Sequence, residues 1–393
     1  MNFLYAVGYL LIVTGILFLV IGVIFYKKKK WIFKKNKDNK YAILIPARDE
    51  SKVIENLLKS IELQNKDMSN VYVIVEDESD PTCKITKKYK ANIFVREKPI
   101  RGRKGYALDE CLKEILKTKK YDLYFIFDAD NILDKDFIKN MLREWKKGYD
   151  VAIGYRNILN PNNLISCSSG FMFILLNHVA NKMVRMKAKQ PIMLSGTGMY
   201  ISGKLIEKWN GFPFYTLTED YELSMYMYEH NIKSIYVEDA VYFDEQPLDM
   251  WTSIKQRSRW IKGFFEKRKG CLKDEKYSFL TVIGVLPLIS ICAGLVFLFF
   301  VSFIDIIYCL ISGNIIEWWK CLMLCTPLFA YIIILLITIY VMYKEKDKIN
   351  MSNKMKNKSL LFIPFFLILF VISFFRAVLK KELKWEKVEH VGK

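Results

Sequence analysis

The segment Leu123-Tyr-Phe-Ile-Phe-Asp-Ala-Asp130 places two carboxylates directly after a continuous apolar run. An unbroken apolar run of this length is typical of a strand that is buried on both faces of a sheet. Alternation along an extended segment points the side chains of Asp128 and Asp130 in the same direction. The segment therefore predicts a central strand that ends in a pair of acidic side chains.

Residues 41–270 repeat this pattern of apolar runs separated by helical stretches. The other runs are Tyr41–Ile45, Val71–Val75 and Ile93–Val95. Continuous apolar strands that alternate with helices predict an α/β domain with a mostly parallel sheet and helices on both faces. In such sheets the ligand lies beyond the carboxyl ends of the strands.

Acidic clusters follow three of these predicted strands. They are Pro46–Glu50, Glu76–Ser79 and Asp128–Asp130. Carboxylates gathered at one edge of a sheet repel each other, and a divalent cation with hydrogen-bonding ligands relieves that repulsion. The clusters predict a cation-assisted ligand site at this edge.

Composition excludes several classes of protein. The 393 residues include 60 Lys and Arg against 41 Asp and Glu, a net charge of +19, and are 52% apolar with long uncharged blocks at both ends. That distribution excludes a disordered chain, a disulfide scaffold and a purely soluble enzyme. Because the positive charge lies beside apolar blocks, anionic lipid explains it better than nucleic acid does. The eight cysteines and three histidines have no metal-ligand spacing.

Apolar blocks define the predicted domain boundaries. Residues 3–26 carry no charge and, as a helix, cover roughly 36 Å, which exceeds the ~30 Å hydrocarbon core. The predicted organisation is a transmembrane helix at 1–26, a basic linker at 27–40, an α/β domain at 41–270, a membrane region at 271–380 and a basic tail at 381–393. Within the membrane region, 277–304 and 321–343 are predicted to span, and 359–375 is predicted to re-enter or span.

Basic flanks predict the orientation. Lys27–Lys30 and the basic loop Lys344–Lys358 belong on the cytoplasmic side, because Lys and Arg clusters stay there. Residues 41–270 are then cytoplasmic. A spanning 359–375 would put the basic tail outside, whereas a segment that dips into the membrane, with Pro364 near its start, would leave the tail inside.

Asp128-Ala-Asp130 is a D-x-D arrangement with hard oxygen ligands. Two carboxylates that fill part of an octahedral shell suit Mg²⁺ or Mn²⁺ bridging a diphosphate. A turn followed by a helix cap is the alternative. The position directly after a strand favours the metal site.

Thr218-Glu219-Asp220 opens a predicted helix. One interpretation is a capping Thr218 followed by acids that the helix dipole favours. A carboxylate at this position near a diphosphate site can also accept a proton from a hydroxyl as a general base. Both interpretations are compatible.

Gln256-Arg-Ser-Arg-Trp260 lies in an amphipathic stretch before a membrane block. An indole offers a platform for a sugar ring, and a guanidinium binds diphosphate oxygens. The alternative is a basic helix at the lipid interface whose Trp contacts the membrane.

In this order and spacing, D-x-D, T-E-D and Q-x-x-R-W resemble the membrane-embedded family 2 glycosyltransferases, among them the processive cellulose, chitin, hyaluronan and poly-N-acetylglucosamine synthases. The resemblance covers residues 41–270 and the flanking helices, and it implies a GT-A fold. Two positions depart from the family pattern. Glu76–Ser79 replaces the usual D-D-G-S, and Asp109 replaces an Asn.

The resemblance implies a role for each candidate residue. Asp220 would be the catalytic base, and Asp130 would bind Mg²⁺ or Mn²⁺. The nucleotide-sugar would contact Pro46, Ala47, Arg48, Glu50, Asp77, Lys104 and Asp128. The diphosphate and acceptor would contact Glu219, Gln256, Arg257, Arg259 and Trp260.

The resemblance also implies the reaction. An inverting, UDP-sugar-dependent enzyme would extend a β-linked polysaccharide processively, with translocation of the chain. Transfer of one sugar to a lipid acceptor is the alternative. The implied setting is the plasma membrane, with an accessory subunit or a homo-oligomer completing the channel and no nucleic-acid partner.

Overall fold

The computed structural model describes residues 2–24, 31–65, 67–97, 102–266 and 286–380, and the chain forms two compact units. Unit 1 comprises Met1–Lys28 and Lys276–Tyr340, and unit 2 comprises Lys29–Glu275 and Val341–Lys393. Several predictions fall outside the described residues: the lysines at 27–30, the domain boundary at 270, the first part of the span 277–304, and the tail 381–393.

Unit 2 is built around an eight-stranded sheet with the order β3-β2-β1-β4-β7-β6-β8-β5. Pairing is parallel from β3 to β4 and between β6 and β8, and antiparallel at β4–β7, β7–β6 and β8–β5. The predicted α/β class is confirmed, and the antiparallel β7 is an addition that the sequence did not predict. The strands are β1 Tyr41–Pro46, β2 Val71–Val75, β3 Asn92–Val95, β4 Leu123–Ile126, β5 Ile132–Leu133, β6 Val151–Ile158, β7 Met199–Ser202 and β8 Ser234–Asp244.

Helices cover both faces of this sheet. Ile43 and Ile45 of β1 lie in one buried cluster and Leu44 lies in another, as the two-residue period of a strand requires. Full burial of each such side chain contributes about 1.5–3 kcal/mol. The helices of unit 2 are α2 Ile54–Glu62, α3 Thr82–Lys88, α4 Lys104–Thr118, α5 Phe137–Lys147, α6 Leu164–Leu176, a π-helix Asn177–Met186, α7 Gly203–Trp209, α8 Glu219–Glu229, α9 Met250–Phe265, α13 Asn353–Phe366 and α14 Ile368–Leu379.

Unit 1 is helical and contains a buried polar cluster. Its helices are α1 Asn2–Ile24, α10 Leu286–Ser312, α11 Trp318–Leu324 and most of α12 Thr326–Glu345. The Tyr5 hydroxyl donates to Asp305 at 3.2 Å, and the Lys320 ammonium lies 2.9 Å from the same carboxylate. This ion pair ties α10 to α11.

Among the described residues, four helical stretches are long and apolar enough to cross a membrane. They are Leu164–Met186, Gly294–Ser312, Thr326–Glu345 and Asn353–Leu379. Leu164–Met186 is not among the spans predicted from the sequence, and two thirds of its apolar window is buried inside the protein. The stretch predicted to re-enter or span contains Pro364 and changes helix at Leu367. The assignment of particular stretches as membrane-crossing helices stays a prediction.

Candidate functional site

A cavity of about 880 Å³ lies in unit 2 at the carboxyl ends of β1 and β4. Because β7 is antiparallel to β4, the segment that leads into β7 reaches the same edge, opposite the end of β4. The cavity brings together twelve of the fourteen predicted site residues: Pro46, Ala47, Arg48, Glu50, Lys104, Asp128, Asp130, Glu219, Asp220, Gln256, Arg259 and Trp260.

Asp77 is one of the two predicted residues that do not line this cavity. Its exposed carboxylate accepts a hydrogen bond from the Ser79 amide at 2.7 Å, and that bond lowers the Asp77 pKa. The preceding residue, Glu76, lines the cavity in its place. The side chain of Asp77 is held by its own turn, so its predicted nucleotide contact stays a prediction.

Two arginines compensate the acidic cluster after β2. Arg48 Nε lies 3.2 Å from Glu76 Oε2, and Arg96 Nη1 lies 3.4 Å from Glu76 Oε1. Arg96 also contacts Glu110 at 2.9 Å. Protein cations therefore relieve part of the repulsion that the sequence analysis assigned to a metal ion.

Lys104 lines the cavity beside the D-x-D segment. Its ammonium donates to Asp128 Oδ1 at 2.5 Å and to the Gly196 carbonyl at 2.8 Å, and it lies 4.0 Å from Glu219 Oε1. Burial opposes its charge, but the neighbouring carboxylates dominate and raise the Lys104 pKa. Gly105 fixes this position, since a Cβ there would overlap the Phe214 carbonyl oxygen. The lysine is thus a fixed positive charge beside the D-x-D carboxylates.

A buried polar network behind the D-x-D segment was not found from the sequence. The Asp128 amide donates to Thr197 Oγ1 at 2.8 Å, and Thr197 hydrogen-bonds to Asn131. Asn131 Nδ2 donates to Asp244 Oδ1 at 2.8 Å, and Arg156 donates to Asp244 Oδ2. Its members come from four separate segments, so only the tertiary structure joins them.

The segment Ser195-Gly-Thr-Gly198 brings its backbone close to Asp220. Gly196 has φ +84°, a conformation that favours glycine, and a Cβ there would lie 3.4 Å from Asp220 Oδ2. The segment leads directly into β7, and Ser195 and Gly196 line the cavity.

Glu219 and Asp220 form the first turn of α8. Burial raises the pKa of Glu219 to about 7, and burial also raises the pKa of Asp220, whose Oδ1 accepts the Tyr221 amide at 2.8 Å. Thr218 occupies the N-cap position, but its hydroxyl makes no capping bond, so that part of the capping interpretation is wrong. Raised carboxyl pKa values in a cavity are typical of proton-accepting groups.

The helix α9 presents Gln256, Arg259 and Trp260 to the cavity, as residues at i, i+3 and i+4 share a face. Gln256 Oε1 and Arg259 Nε are buried without a hydrogen-bond partner among the described residues. The Trp260 ring makes an edge contact with Phe173 at 5.6 Å between centroids. The two polar atoms are therefore available to a polar ligand.

Arg257 does not line the cavity, which corrects its predicted role in the diphosphate and acceptor site. One residue along a helix turns the side chain by about 100°. Arg257 is 0% exposed, with its guanidinium 4.6 Å from the Phe366 ring centroid and bonded to the Ser253 carbonyl at 3.1 Å. Burial lowers its pKa to about 10. It packs α9 against α13 and α14.

The donor set at the D-x-D segment fits a hard divalent cation that is shared with a substrate. No cluster of three or more acidic, His or Cys side chains among the described residues could hold a metal alone. Mg²⁺ is commonly bound by one or two carboxylates together with substrate phosphates. Asp128 and Asp130 supply that number of carboxylates in the cavity.

Comparison with known proteins agrees with this geometry. The model for glycosyl transferase family group 2 matches residues 125–344, and the model for glycosyl transferase family 2 matches residues 42–169. The probable glycosyltransferase YdaM of Bacillus subtilis (strain 168) is 26% identical over 275 residues. That alignment covers 64% of this chain and 64% of YdaM.

A solved structure has the same fold over almost the whole chain. It is the mannosyltransferase PcManGT from Pyrobaculum calidifontis, in complex with GDP-Man and Mn²⁺, with a TM-score of 0.58 and 14% sequence identity. The match covers 96% of this chain and 100% of PcManGT. Because the family group 2 model spans more than half of the sequence, the chain belongs to the family 2 glycosyltransferases.

Proposed function

We propose that this glycosyltransferase moves a sugar from a UDP-sugar to an acceptor hydroxyl, with inversion at the anomeric carbon and Asp220 as the base. The observation that carries the proposal is one cavity lined by Lys104, Asp128, Asp130 and Asp220. The first three suit a diphosphate with its cation, and the raised Asp220 pKa suits a proton acceptor.

The proposed donor contacts follow the sheet edge. Pro46, Ala47, Arg48 and Glu50 would bind the nucleoside, and Asp77 is proposed as a further contact. Lys104 would hold the diphosphate together with Asp128. A Mg²⁺ or Mn²⁺ ion held by Asp128 and Asp130 would neutralise charge on the phosphate oxygens. The Mn²⁺ bound to the mannosyltransferase of similar fold supports a divalent cation here.

The transfer itself requires one proton acceptor and one stabilised leaving group. Asp220 takes the proton of the acceptor hydroxyl, whose oxygen forms a bond to C1 of the sugar. The C1–oxygen bond to the diphosphate breaks, and UDP leaves with the electron pair. Lys104 and Arg259, which line the same cavity, would stabilise the developing negative charge. Such stabilisation is commonly the largest contribution to catalysis of this kind.

Two acceptors remain as proposals. Processive extension of a β-linked polysaccharide is supported by Gln256, Arg259 and Trp260, which share the cavity wall. An accessory subunit or a homo-oligomer would then complete a channel. Transfer of one sugar to a lipid is supported by a different observation: α6 and α14 contribute apolar side chains to the same cavity.

Asp220→Asn tests the proposed base. Purified protein is incubated with a panel of UDP-sugars, with GDP-Man as an additional donor, and UDP or GDP release and product size are measured. We expect transfer to fall by about 10²–10⁴-fold with UDP binding retained. Glu229→Gln, at the other end of α8, is the matched control. Unchanged transfer by Asp220→Asn would remove the base assignment.

We also propose a plasma-membrane location with residues 41–270 in the cytoplasm, as the basic flanks predict. Cys321 and Cys325 in unit 1 are exposed and would then face outside, whereas Cys83, Cys111, Cys167 and Cys309 are buried. A membrane-impermeant maleimide should label the protein in intact cells, and the double variant Cys321→Ser/Cys325→Ser should remove that labelling. Labelling that appears only after lysis would reverse the orientation.

A further inference from the structure

We infer that the acceptor hydroxyl is carried by a membrane lipid whose hydrocarbon chain lies in an apolar arm of the cavity. The apolar arm is formed by Met172, Phe173 and Leu176 of α6 together with Phe370 of α14. The inference rests on the proposed glycosyl transfer and names its acceptor class.

The apolar arm is continuous with the proposed catalytic groups. Phe173 makes an edge contact with Trp260, and the Arg156 guanidinium lies 3.7 Å from the Phe173 ring centroid. Arg156 in turn binds Asp244, which is linked through Asn131 and Thr197 to the Asp128 amide. A molecule in the arm would therefore share one cavity with Asp220.

The arm also becomes progressively more exposed along α6. Met172 is 2% exposed, Phe173 is 8% exposed, and Leu176, one turn later, is 51% exposed. These side chains carry no group that hydrogen-bonds strongly to sugar hydroxyls. A sugar polymer here would leave buried hydroxyls unpaired, whereas a hydrocarbon chain would not.

The surrounding helices favour a lipid over a soluble apolar molecule. Leu164–Met186 and Asn353–Leu379, which supply the arm, are both apolar enough to cross a membrane. Basic side chains accompany them: Lys255 and Arg376 line the cavity, and Arg376 lies 5.3 Å from the Trp251 ring centroid. Basic and aromatic residues beside apolar helices are typical of a surface in contact with anionic lipid.

The reaction balances with one proton and one leaving group. Asp220 removes the proton of the lipid hydroxyl, the lipid oxygen bonds to C1, and the C1–diphosphate bond breaks. UDP and a glycolipid are the products. No oxidant or reductant is required.

Matched acceptors test the inference on the purified full chain. Methyl glucoside and octyl glucoside offer the same hydroxyls and differ only in the length of their hydrocarbon group, provided that octyl glucoside is kept below its critical micelle concentration. Dioleoylglycerol in mixed micelles is a third acceptor, and cello-oligosaccharides are a fourth. With an accepted UDP-sugar, we expect the KM for octyl glucoside to be at least about tenfold below that for methyl glucoside. The inference would be overturned if neither octyl glucoside nor dioleoylglycerol made the enzyme release UDP faster than methyl glucoside does. It would also be overturned if the KM fell with the length of the cello-oligosaccharide instead.

A pair of variants on one helical stretch localises the effect. Leu176→Asp places a charge in the arm, whereas Val184→Asp changes a similarly exposed side chain that does not line the cavity. We expect Leu176→Asp to remove the KM advantage of octyl over methyl glucoside, and Val184→Asp to keep it. An equal effect of both variants would overturn the arm assignment. UDP binding by the wild-type protein, measured by thermal shift, separates these outcomes from failure of the proposed function. If the proposed function is wrong, the wild-type protein would bind no UDP.

Discussion

Arg156 and Asp244 form a buried ion pair at the end of the β6–β8 ladder. Arg156 Nε and Nη2 both donate to Asp244 Oδ2, at 3.0 and 2.5 Å. Asn131 Nδ2 donates to the other carboxylate oxygen. Through Asn131 and Thr197 the pair reaches the backbone amide of Asp128, so it supports the D-x-D segment from behind.

Removing one partner of this pair should destabilise unit 2 strongly. We expect Asp244→Leu or Arg156→Met to lower the free energy of unfolding by about 3–5 kcal/mol, because each leaves a buried charge without its partner. The double variant Arg156→Met/Asp244→Leu should recover part of that loss but not transfer activity, since Asn131 Nδ2 loses its hydrogen bond to Asp244. Chemical unfolding in detergent and UDP release measure the two effects.

A surface pair is the control for that prediction. Arg143 and Asp239 lie 3.0 Å apart with half-exposed side chains. Removing either should cost about 1 kcal/mol or less. Equal losses at the two pairs would contradict the structural role of Arg156 and Asp244.

Glu219 should make stability depend on pH. Its pKa is raised from 4.5 to about 7 by burial, so its contribution is fully present below pH 4.5 and is lost as the pH rises through about 7. We expect wild type to lose about 1 kcal/mol or more of stability relative to Glu219→Gln between pH 5 and pH 8. The exposed Glu207→Gln should follow wild type. Parallel pH profiles for wild type and Glu219→Gln would contradict the burial of this carboxylate.

Asp220 and Glu219 should together control the pH dependence of sugar transfer. Asp220 acts as a base only when ionised, and its pKa is raised by burial. We therefore expect the rate to rise with pH through that raised pKa. Glu219→Gln removes a neighbouring negative charge and should move this rise to lower pH. A rate that stays constant as the pH is lowered to the limit at which the protein remains folded would argue against Asp220 as the base.

Arg257 and Arg259 should behave differently despite their positions in one motif. Arg259→Met should raise the KM for the donor by about tenfold or more, because a charge-assisted hydrogen bond to the diphosphate is lost. Arg257→Met should change that KM by about twofold or less and affect mainly stability, since its side chain packs among Phe366, Phe370 and Trp260. A larger KM effect at Arg257 would contradict the placement of its side chain.

Asp130 should determine the metal requirement. We expect EDTA to abolish transfer and Mn²⁺ or Mg²⁺ to restore it, and Asp130→Asn to raise the Mn²⁺ concentration needed for half-maximal rate by about tenfold or more. Asp136→Asn is the control, because Asp136 is a partly exposed acid outside the cavity that pairs with Lys139. Full activity in EDTA would exclude a required divalent cation.

The sequence by itself determined the elements and the motifs. Apolar runs such as Leu123–Phe127 identified buried strands, because a strand buried on both faces reads as a continuous apolar run. The acids that follow these strands were placed at one sheet edge because ligands lie beyond the carboxyl ends of parallel strands. The spacing of Gln256, Arg259 and Trp260 likewise sets a shared helix face. These properties depend on neighbours within a few residues.

Only the tertiary structure decided which side chains meet. The antiparallel β7 brings Gly196 and Thr197 to Asp128, and the Arg156–Asp244 pair joins residues 88 positions apart. Arg257, adjacent to cavity residues in sequence, faces α13 and α14. Such contacts are set by the packing of whole elements against each other, and the free energy of that packing has no signature in a local stretch of sequence.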